Sequence, residues 1–384
     1  MRRLLTGARV FTGEGIVEGR SVLIEEGTVR DLVAGDAAPG AEAVRLPAGS
    51  LVAPGFIDTQ VNGGGGVLFN DTPTAEGALA IAAAHRRFGT TGLLPTFITD
   101  APDRMRLAVA AAAEAARRPG GGVLGIHLEG PFLNPARKGV HAEAAIRTPT
   151  GVDAAELAAL PALFPDGKVL LSLAPERVPD DFIARLAAAG VVLAGAHSAA
   201  GYERTLEAVR LGLRGFTHLF NAMPPVMNRE PGIAAAALQA DGAWCGIIAD
   251  GVHVHPALLR LALAQKPRGR LFLVTDAMSP TGTDADSFTL YGETILRRDG
   301  RLVTVDGTLA GADIDMAQAV RNAVALMGAG TEEALRMASL YPAEFLGLAD
   351  RYGRVAPGFR ADLVLLDQDL GVLGTWVGGG YRGA

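Results

Sequence analysis

Cysteine, lysine and aromatic residues are scarce in this chain of 384 residues. The single cysteine, Cys245, excludes an intrachain disulfide framework and any metal site built from several thiolates. We expect it to be a buried small side chain, and we expect the protein to work in a reducing cytoplasm. Lysine occurs only at Lys138, Lys168 and Lys266.

The chain also lacks a strong excess of one charge and a long apolar run. Its formal net charge is −6, and no block of Lys and Arg suggests a nucleic-acid partner. The apolar stretch 186–202 is rich in Ala and Gly and contains His197, so we interpret it as a buried strand and expect no membrane association. Arg9 and Glu14 interrupt any signal-peptide core near the start.

Hydrophobic residues are plentiful, at 49% of the chain, and their pattern is regular. Between Pro54 and about Gly347, apolar runs of strand length alternate with longer helical patterns, which predicts successive βα units. We place eight strands at 56–59, 92–96, 123–128, 169–173, 191–196, 215–219, 245–249 and 271–275. The clearest helices are at 75–88, 104–117, 181–189, 202–211 and 256–265.

Polar residues end several of these apolar runs, including Glu129, His197, His218 and Asp276. A closed barrel brings the carboxyl ends of all its strands to one mouth, where such side chains converge. We therefore predict an α/β fold with a TIM-type (β/α)8 barrel over 54–347. A doubly wound open sheet is the alternative.

Both termini differ from this middle. Residues 3–35 and about 351–381 contain short alternating strand patterns separated by turns. We predict a small discontinuous β-sandwich domain formed by 1–53 and 348–384. After the eighth strand, Asp299 and Gly300 separate two β-prone segments, which indicates a two-residue hairpin turn.

One carboxylate and two imidazoles form a suitable ligand set for a divalent metal, so Glu129, His197 and His218 are candidate ligands. Three protein ligands leave a position for water, whose pKa a metal such as zinc lowers to about 7. Asp276 can then take and return a proton. Each residue also has a structural alternative: Glu129 and Asp276 can cap helices or turns, and a lone strand-end histidine is usually structural.

In several motifs, the chain resembles the N-acetylglucosamine-6-phosphate deacetylases of the amidohydrolase superfamily. The resemblance is carried by PGFIDTQVNGGGG, HLEGPFLNPARKGVH, AHS, THLFNAMPP, REPG, IADGVHVHP, VTDAMSPTG, LAG and RVAPGFRADLVLLD. It implies a barrel with a small β domain, usually a homodimer, that hydrolyses N-acetylglucosamine 6-phosphate to glucosamine 6-phosphate and acetate. It also implies Glu129, His197 and His218 as metal ligands and Asp276 as acid and base.

The resemblance further implies the residues that contact substrate. They are Val140, His141, Asn221, Ala222, Arg229, His253, Leu309, Ala310 and Gly311. His141 would lie beside the substrate carbonyl and is a second catalytic candidate. Arg229 and His253 would lie near the phosphate, and Arg229 would act either in its own site or across a dimer interface in the neighbouring subunit's site. The alternative for Arg229 is a solvated ion pair with Glu230.

Related metal hydrolases often carry a His-x-His pair on the first barrel strand, where this chain has Gln60 and Asn62. Amides are poor metal ligands but good hydrogen-bond partners, for example to a bound water. Lys168 precedes the fourth strand, so it cannot bridge two metals after that strand. We therefore expect one divalent metal per subunit, zinc in preference to iron, cobalt or manganese.

Two segments depart from the family pattern. Ser198, Ala199 and Ala200 follow His197 where Ser-Asn-Ala is expected, which predicts the loss of a contact that supports the metal ligand. The loop PPVMNREPG also differs before Arg229. Two rival functions remain: an enzyme on the same scaffold that deacetylates N-acetylgalactosamine 6-phosphate or an N-acyl amino acid, and a non-catalytic binding module that has kept the barrel.

Overall fold

The computed structural model describes residues 2–383. At its centre lies an eight-stranded parallel sheet in which each strand pairs with its neighbours in the chain. We label its strands β1 (Phe56–Val61), β2 (Thr90–Ile98), β3 (Gly125–Glu129), β4 (Lys168–Leu173), β5 (Val192–Gly195), β6 (Gly215–Phe216), β7 (Trp244–Ile248) and β8 (Leu271–Val274). All eight predicted strands are therefore confirmed.

The first and last strands of this sheet meet at their carboxyl ends. The Asp276 N–H donates to the Gln60 carbonyl at 3.0 Å, and the Asn62 N–H donates to the Ala277 carbonyl at 2.9 Å. Val61 and Ala277 form a parallel bridge at the same place. These bonds nearly close the sheet into a barrel, so the open doubly wound alternative is wrong.

Helices follow most barrel strands. They are Ala75–Arg86, Pro102–Ala116, Gly151–Ala159, Asp180–Ala188, Tyr202–Leu211, Gly232–Gln239, Pro256–Gln265, Met316–Asn322, Thr331–Ala338 and Leu340–Leu346. Two of the five predicted helices have the expected bounds and the other three shift by one or two residues. Pro102 opens its helix because the first turn needs no N–H from that position. Across residues 2–383, every helix is too short or too polar to span a membrane.

The terminal segments form two further sheets. The first contains Arg2–Thr6, Arg20–Glu25, Thr28–Ala34 and Glu42–Arg45. The second contains Arg9–Phe11, Ile16–Val17, Leu51–Pro54, Leu363–Leu366, Val372–Val377 and Gly380–Gly383, so it joins both ends of the chain. Val22, Val52 and Trp376 belong to the apolar core that the two sheets share. The predicted β sandwich is confirmed.

The predicted hairpin forms part of a small sheet of Ser287–Leu290, Glu293–Arg298 and Arg301–Val303. Asp299 and Gly300 have φ of +51° and +70°, as a type I′ turn requires. Leu290 packs in one apolar cluster with Ile98 and Met278, which lie at the carboxyl end of the barrel. The small sheet is thereby held at the barrel mouth, beside two short strands, Gly63–Gly64 and Val67–Leu68.

Candidate active site

Four polar side chains predicted from the sequence meet at the barrel mouth. Glu129 is the last residue of β3, whereas His197, His218 and Asp276 each lie two residues beyond β5, β6 and β8. All four line one cleft of about 520 Å³, a size that suits a small ligand. The barrel therefore brings together residues that lie far apart in the sequence.

Glu129, His197 and His218 surround a single point. Glu129 Oε1 lies 2.9 Å from His218 Nε2 and 3.2 Å from His197 Nε2, and the two nitrogens are 3.1 Å apart. In a tetrahedral zinc site with bonds of about 2.0–2.1 Å, neighbouring ligand atoms lie about 3.3 Å apart. The three side chains are almost fully buried. Their spacing, donor chemistry and burial fit one divalent metal.

A backbone carbonyl fixes the orientation of one imidazole. His197 Nδ1 lies 2.8 Å from the Arg137 carbonyl, which can only accept, so Nδ1 carries the proton. With a metal bound at the centre of the cluster, Nε2 would present its lone pair to that metal. This arrangement is the usual one for a metal-bound histidine, whose second nitrogen donates to a carbonyl or carboxylate.

His141 is the next imidazole outward. Its ring lies 4.4 Å from that of His197, and ligand atoms of Glu129, His141 and His197 fall within 4.8 Å of one another. The shorter distances to His218 favour His218 as the third ligand. Burial lowers the pKa of His141 to about 3, so the ring is neutral at physiological pH. Its Nδ1 contacts Thr99 Oγ1 at 2.9 Å, which leaves Nε2 for a ligand.

Two amides from β1 and its following residue tie the carboxylates together. Asn62 Nδ2 donates to Asp276 Oδ1 at 2.7 Å, and Gln60 Nε2 donates to the same oxygen at 3.1 Å. Gln60 Nε2 also lies 3.3 Å from each carboxylate oxygen of Glu129. In this structure Gln60 and Asn62 are therefore hydrogen-bond donors to the two acids.

Electrostatics separate the two carboxylates. Burial alone would raise the pKa of Glu129, but hydrogen bonds from His197 and His218 hold that pKa well below its usual value. Burial and the charge of Glu129 raise the pKa of Asp276 to about 6. Glu129 is thus kept ionised, the form that binds a cation, whereas Asp276 can exchange a proton near neutrality.

Backbone strain is concentrated around the same cleft. Among residues 2–383, nine non-glycine residues have positive φ, and five of them belong to the loops that carry this site. The five are His197, His218, Phe220, Ala222 and Asp276. Such conformations cost about 1–3 kcal/mol each and persist only where the surrounding structure enforces them, often at active sites.

The predicted substrate contacts are brought together only in part. Val140, His141, Asn221, Ala222, His253, Leu309 and Gly311 line the cleft. Ala310 is fully buried beside it and packs with Met278 and Leu302. Arg229 lies in an exposed loop and does not line the cleft of its own chain.

Sequence reasoning missed several residues of the cleft, among them Arg137, Met278 and Thr308. Arg137 holds His197 through its carbonyl, and across residues 2–383 its guanidinium forms no hydrogen bond or ion pair. Its place in the loop 130–141, directly after Glu129, is the signal that would have suggested it. Met278 and Thr308 carry no local signal, since their exposure depends on how distant loops fold.

The unusual residues after His197 remain well anchored. Ser198 Oγ donates to Glu176 at 2.7 Å, and the Ala199 N–H donates to the same carboxylate at 2.7 Å. Asn134 Nδ2 also donates to Glu176, at 2.9 Å. One acid thus ties together the loops that follow β3, β4 and β5, which supports His197 without the expected asparagine.

Known proteins resemble this chain along its length. Residues 51–381 match the model of the amidohydrolase family. An N-acetylgalactosamine-6-phosphate deacetylase of Shewanella sp. (strain ANA-3) is 41% identical over 97% of this chain and 94% of its own. An N-acetylglucosamine-6-phosphate deacetylase of Haemophilus influenzae is 33% identical over 100% of both chains.

A solved structure agrees with the fold. The N-acetylglucosamine-6-phosphate deacetylase from Pasteurella multocida superposes with a TM-score of 0.95 at 32% identity, over 100% of both chains. The barrel, the terminal β sandwich and the order of the motifs along the chain are consistent with this likeness. The chain belongs to the amidohydrolase family, and within it to the group of N-acetylglucosamine- and N-acetylgalactosamine-6-phosphate deacetylases.

Proposed function

We propose that the protein hydrolyses the acetamide of N-acetyl-D-glucosamine 6-phosphate to D-glucosamine 6-phosphate and acetate, a step of amino sugar metabolism. The observation that carries this proposal is the convergence of Glu129, His197 and His218 on one point, with the Asp276 carboxylate bound to the same cluster through Gln60. The buried Cys245 suits a reducing compartment, and we place the enzyme in the cytoplasm.

Glu129, His197 and His218 would hold one divalent metal per subunit, and zinc is the metal we favour over iron, cobalt or manganese. A metal at this position supplies Lewis acidity, which lowers the pKa of water towards about 7 and polarises a carbonyl oxygen. Gln60 and Asn62 already donate to the two carboxylates, so we assign no second metal to β1.

The protein's own side chains move the protons. Asp276 takes a proton from the attacking water as the water oxygen bonds to the acetamide carbon. His141, neutral because of burial, donates from Nε2 to the negative charge that develops on the carbonyl oxygen. Asp276 then gives its proton to the sugar nitrogen as the C–N bond breaks, which releases acetate and the free amine.

The remaining cleft residues bind the sugar phosphate. Val140, Asn221, Leu309 and Gly311 would contact the sugar, with Ala310 supporting that wall from behind. His253, whose Nδ1 lies 2.6 Å from Asp250, would meet the phosphate together with the backbone at Ala222. The guanidinium of Arg137, which lines the cleft, is a further candidate for the phosphate within one chain.

We also propose that the enzyme is a homodimer in which Arg229 completes the partner's site. Arg229 lies outside its own cleft, in an exposed loop that also presents Val226 and Met227, which are 53% and 56% exposed. An apolar surface of this kind favours a protein contact. Mixing Arg229→Ala with Asp276→Asn subunits tests the arrangement.

If Arg229 acts across the interface, each mixed dimer regains one intact site, so random mixing of the two inactive variants restores about a quarter of wild-type activity. If Arg229 acts within its own chain or not at all, mixing restores nothing beyond the sum of the two variants. Size-exclusion chromatography of each variant alone checks that dimerisation is unchanged.

A second substrate is supported by one specific observation: the Shewanella relative at 41% identity is an N-acetylgalactosamine-6-phosphate deacetylase. The two sugars differ only in the configuration at one hydroxyl, and the amide chemistry is the same. The experiment that tests the proposal therefore measures release of free amine from both sugar phosphates and from unphosphorylated N-acetylglucosamine, with metal-loaded enzyme.

We expect N-acetylglucosamine 6-phosphate to give the highest kcat/KM of the three compounds. Faster turnover of the galactosamine derivative would move the assignment to that sugar. Absence of amine release from both, with metal bound and the protein folded, would refute the proposed function.

A further inference from the structure

We propose that Asp58 is a positioning residue that fixes the general base, by joining the first and last barrel strands beneath the active site. This inference rests on the proposed function, in which Asp276 moves the proton. Asp58 is the third residue of β1, is completely buried, and does not line the cleft.

The Asp58 carboxylate receives three hydrogen bonds at the junction of β1 and β8. The Thr275 hydroxyl donates to Oδ2 at 2.5 Å, and the N–H groups of Thr275 and Gln60 donate to Oδ1 at 3.3 and 3.2 Å. Each strand thus contributes donors to one side chain. The donors come from Thr275, which directly precedes Asp276, and from Gln60, whose side chain contacts Asp276.

A side chain is needed here because the backbone pairing is short. Every other pair of neighbouring barrel strands shares a parallel ladder of at least two residue pairs. Between the ends of β1 and β8, in the part of the chain that the structure describes, one bridge joins Val61 to Ala277. Buried N–H groups without a ladder partner need another acceptor, and the Asp58 carboxylate supplies it for two of them.

This junction sets the position of Asp276. Asp276 has φ of +53°, a conformation that its surroundings must enforce. Its N–H donates to the Gln60 carbonyl at 3.0 Å, and the Ala277 N–H donates to the Thr275 hydroxyl at 3.2 Å. Asp58 therefore fixes two residues that position Asp276. It accepts hydrogen bonds from Thr275, which directly precedes Asp276, and from Gln60, whose carbonyl and side chain both bond to Asp276.

Substitution of Thr275 tests the inference without replacing the buried acid itself. Thr275→Val keeps the shape of the side chain but removes the hydroxyl that donates to Asp58 and accepts from the Ala277 N–H, whereas Thr275→Ser keeps the hydroxyl and both bonds. The Asp58 contact is therefore tested separately at Asp58 itself. Thr90→Val is the matched control, because the buried Thr90 hydroxyl on β2 has no hydrogen-bond partner across residues 2–383. Asp58→Asn adds a variant of nearly equal volume that lacks the second acceptor oxygen.

For Thr275→Val and Asp58→Asn we expect kcat to fall between about 10- and 100-fold, as a misplaced catalytic group causes. KM and metal content should stay within about twofold of wild type, while Thr275→Ser and Thr90→Val keep wild-type kcat. A wild-type kcat in Thr275→Val, or an equal loss in Thr90→Val, would overturn the inference. Loss of bound metal together with activity would also overturn the inference, because it would indicate that the whole site is disrupted.

A crystal structure of Thr275→Val provides a readout that does not depend on activity. We expect its Asp276 carboxylate to leave the position 2.7 Å from Asn62 Nδ2. An unmoved Asp276 would refute the inference even if the wild-type protein proved inactive on acetylated sugars. Wild-type inactivity refutes the proposed function alone, so the two failures are distinguishable.

Discussion

Replacement of Asp276 by asparagine separates proton transfer from every other task of the site. Asparagine keeps the size of the side chain and one acceptor oxygen. That oxygen can still accept from Asn62 and Gln60, because both bonds go to the same atom, Oδ1, in the wild type. Asp276 also lies outside the three-atom cluster of Glu129, His197 and His218, so metal binding should be preserved.

The size of the effect follows from the role. A positioned general acid or base contributes about 10²- to 10⁴-fold to the rate, or about 3–5 kcal/mol of transition-state stabilisation. Asp276 acts twice in the proposed reaction, so we expect kcat to fall at least 10²-fold in Asp276→Asn. KM should change little, because the side chain binds protons and not the sugar. Stability should change by less than about 1 kcal/mol, since no hydrogen bond of the cluster is lost.

The assay combines three measurements on the same preparation: amine release under saturating substrate, metal content, and thermal unfolding. The expected pattern is a large loss of kcat with metal content and melting temperature unchanged. Asp250→Asn, which alters a carboxylate bonded to His253 in the same cleft, is the control, and it should act mainly through KM. A folded, metal-loaded Asp276→Asn enzyme with wild-type kcat would refute the assignment of the base.

Three further results are expected. Asp276 must be ionised to accept a proton, and its pKa is raised to about 6, so wild-type kcat should fall as the pH decreases. We expect the midpoint of this fall between pH 3.8 and about 6, and the positive charge of a bound metal favours the lower part of that range. A midpoint above pH 7 in a pH–rate profile would contradict this assignment. The Asn62 hydrogen bond lowers that pKa, so Asn62→Ala should move the midpoint upward, and an unchanged midpoint would count against the contact. Glu129→Gln removes the only anionic donor of the cluster and should reduce metal affinity at least 10-fold by equilibrium dialysis, whereas undiminished affinity would exclude Glu129 as a ligand.

Much of the fold was predictable because its signals are local. Apolar runs of strand length and helical periodicity identified all eight barrel strands, and the pair Asp299 and Gly300 identified the hairpin. The cluster of Glu129, His197 and His218 was also predictable, since each residue follows an apolar strand and barrel geometry brings strand ends together.

What the sequence determined by itself was thus the order of strands and helices and the residue types at each strand end. Only the tertiary structure decided that the Arg137 carbonyl orients His197, that Ala310 is fully buried beside the cleft, and that Asp58 joins β1 to β8. These contacts link residues far apart in the chain, and the closure of the barrel sets their distances. No local pattern of hydrophobicity or turn chemistry encodes such a distance, because it depends on how every intervening element packs.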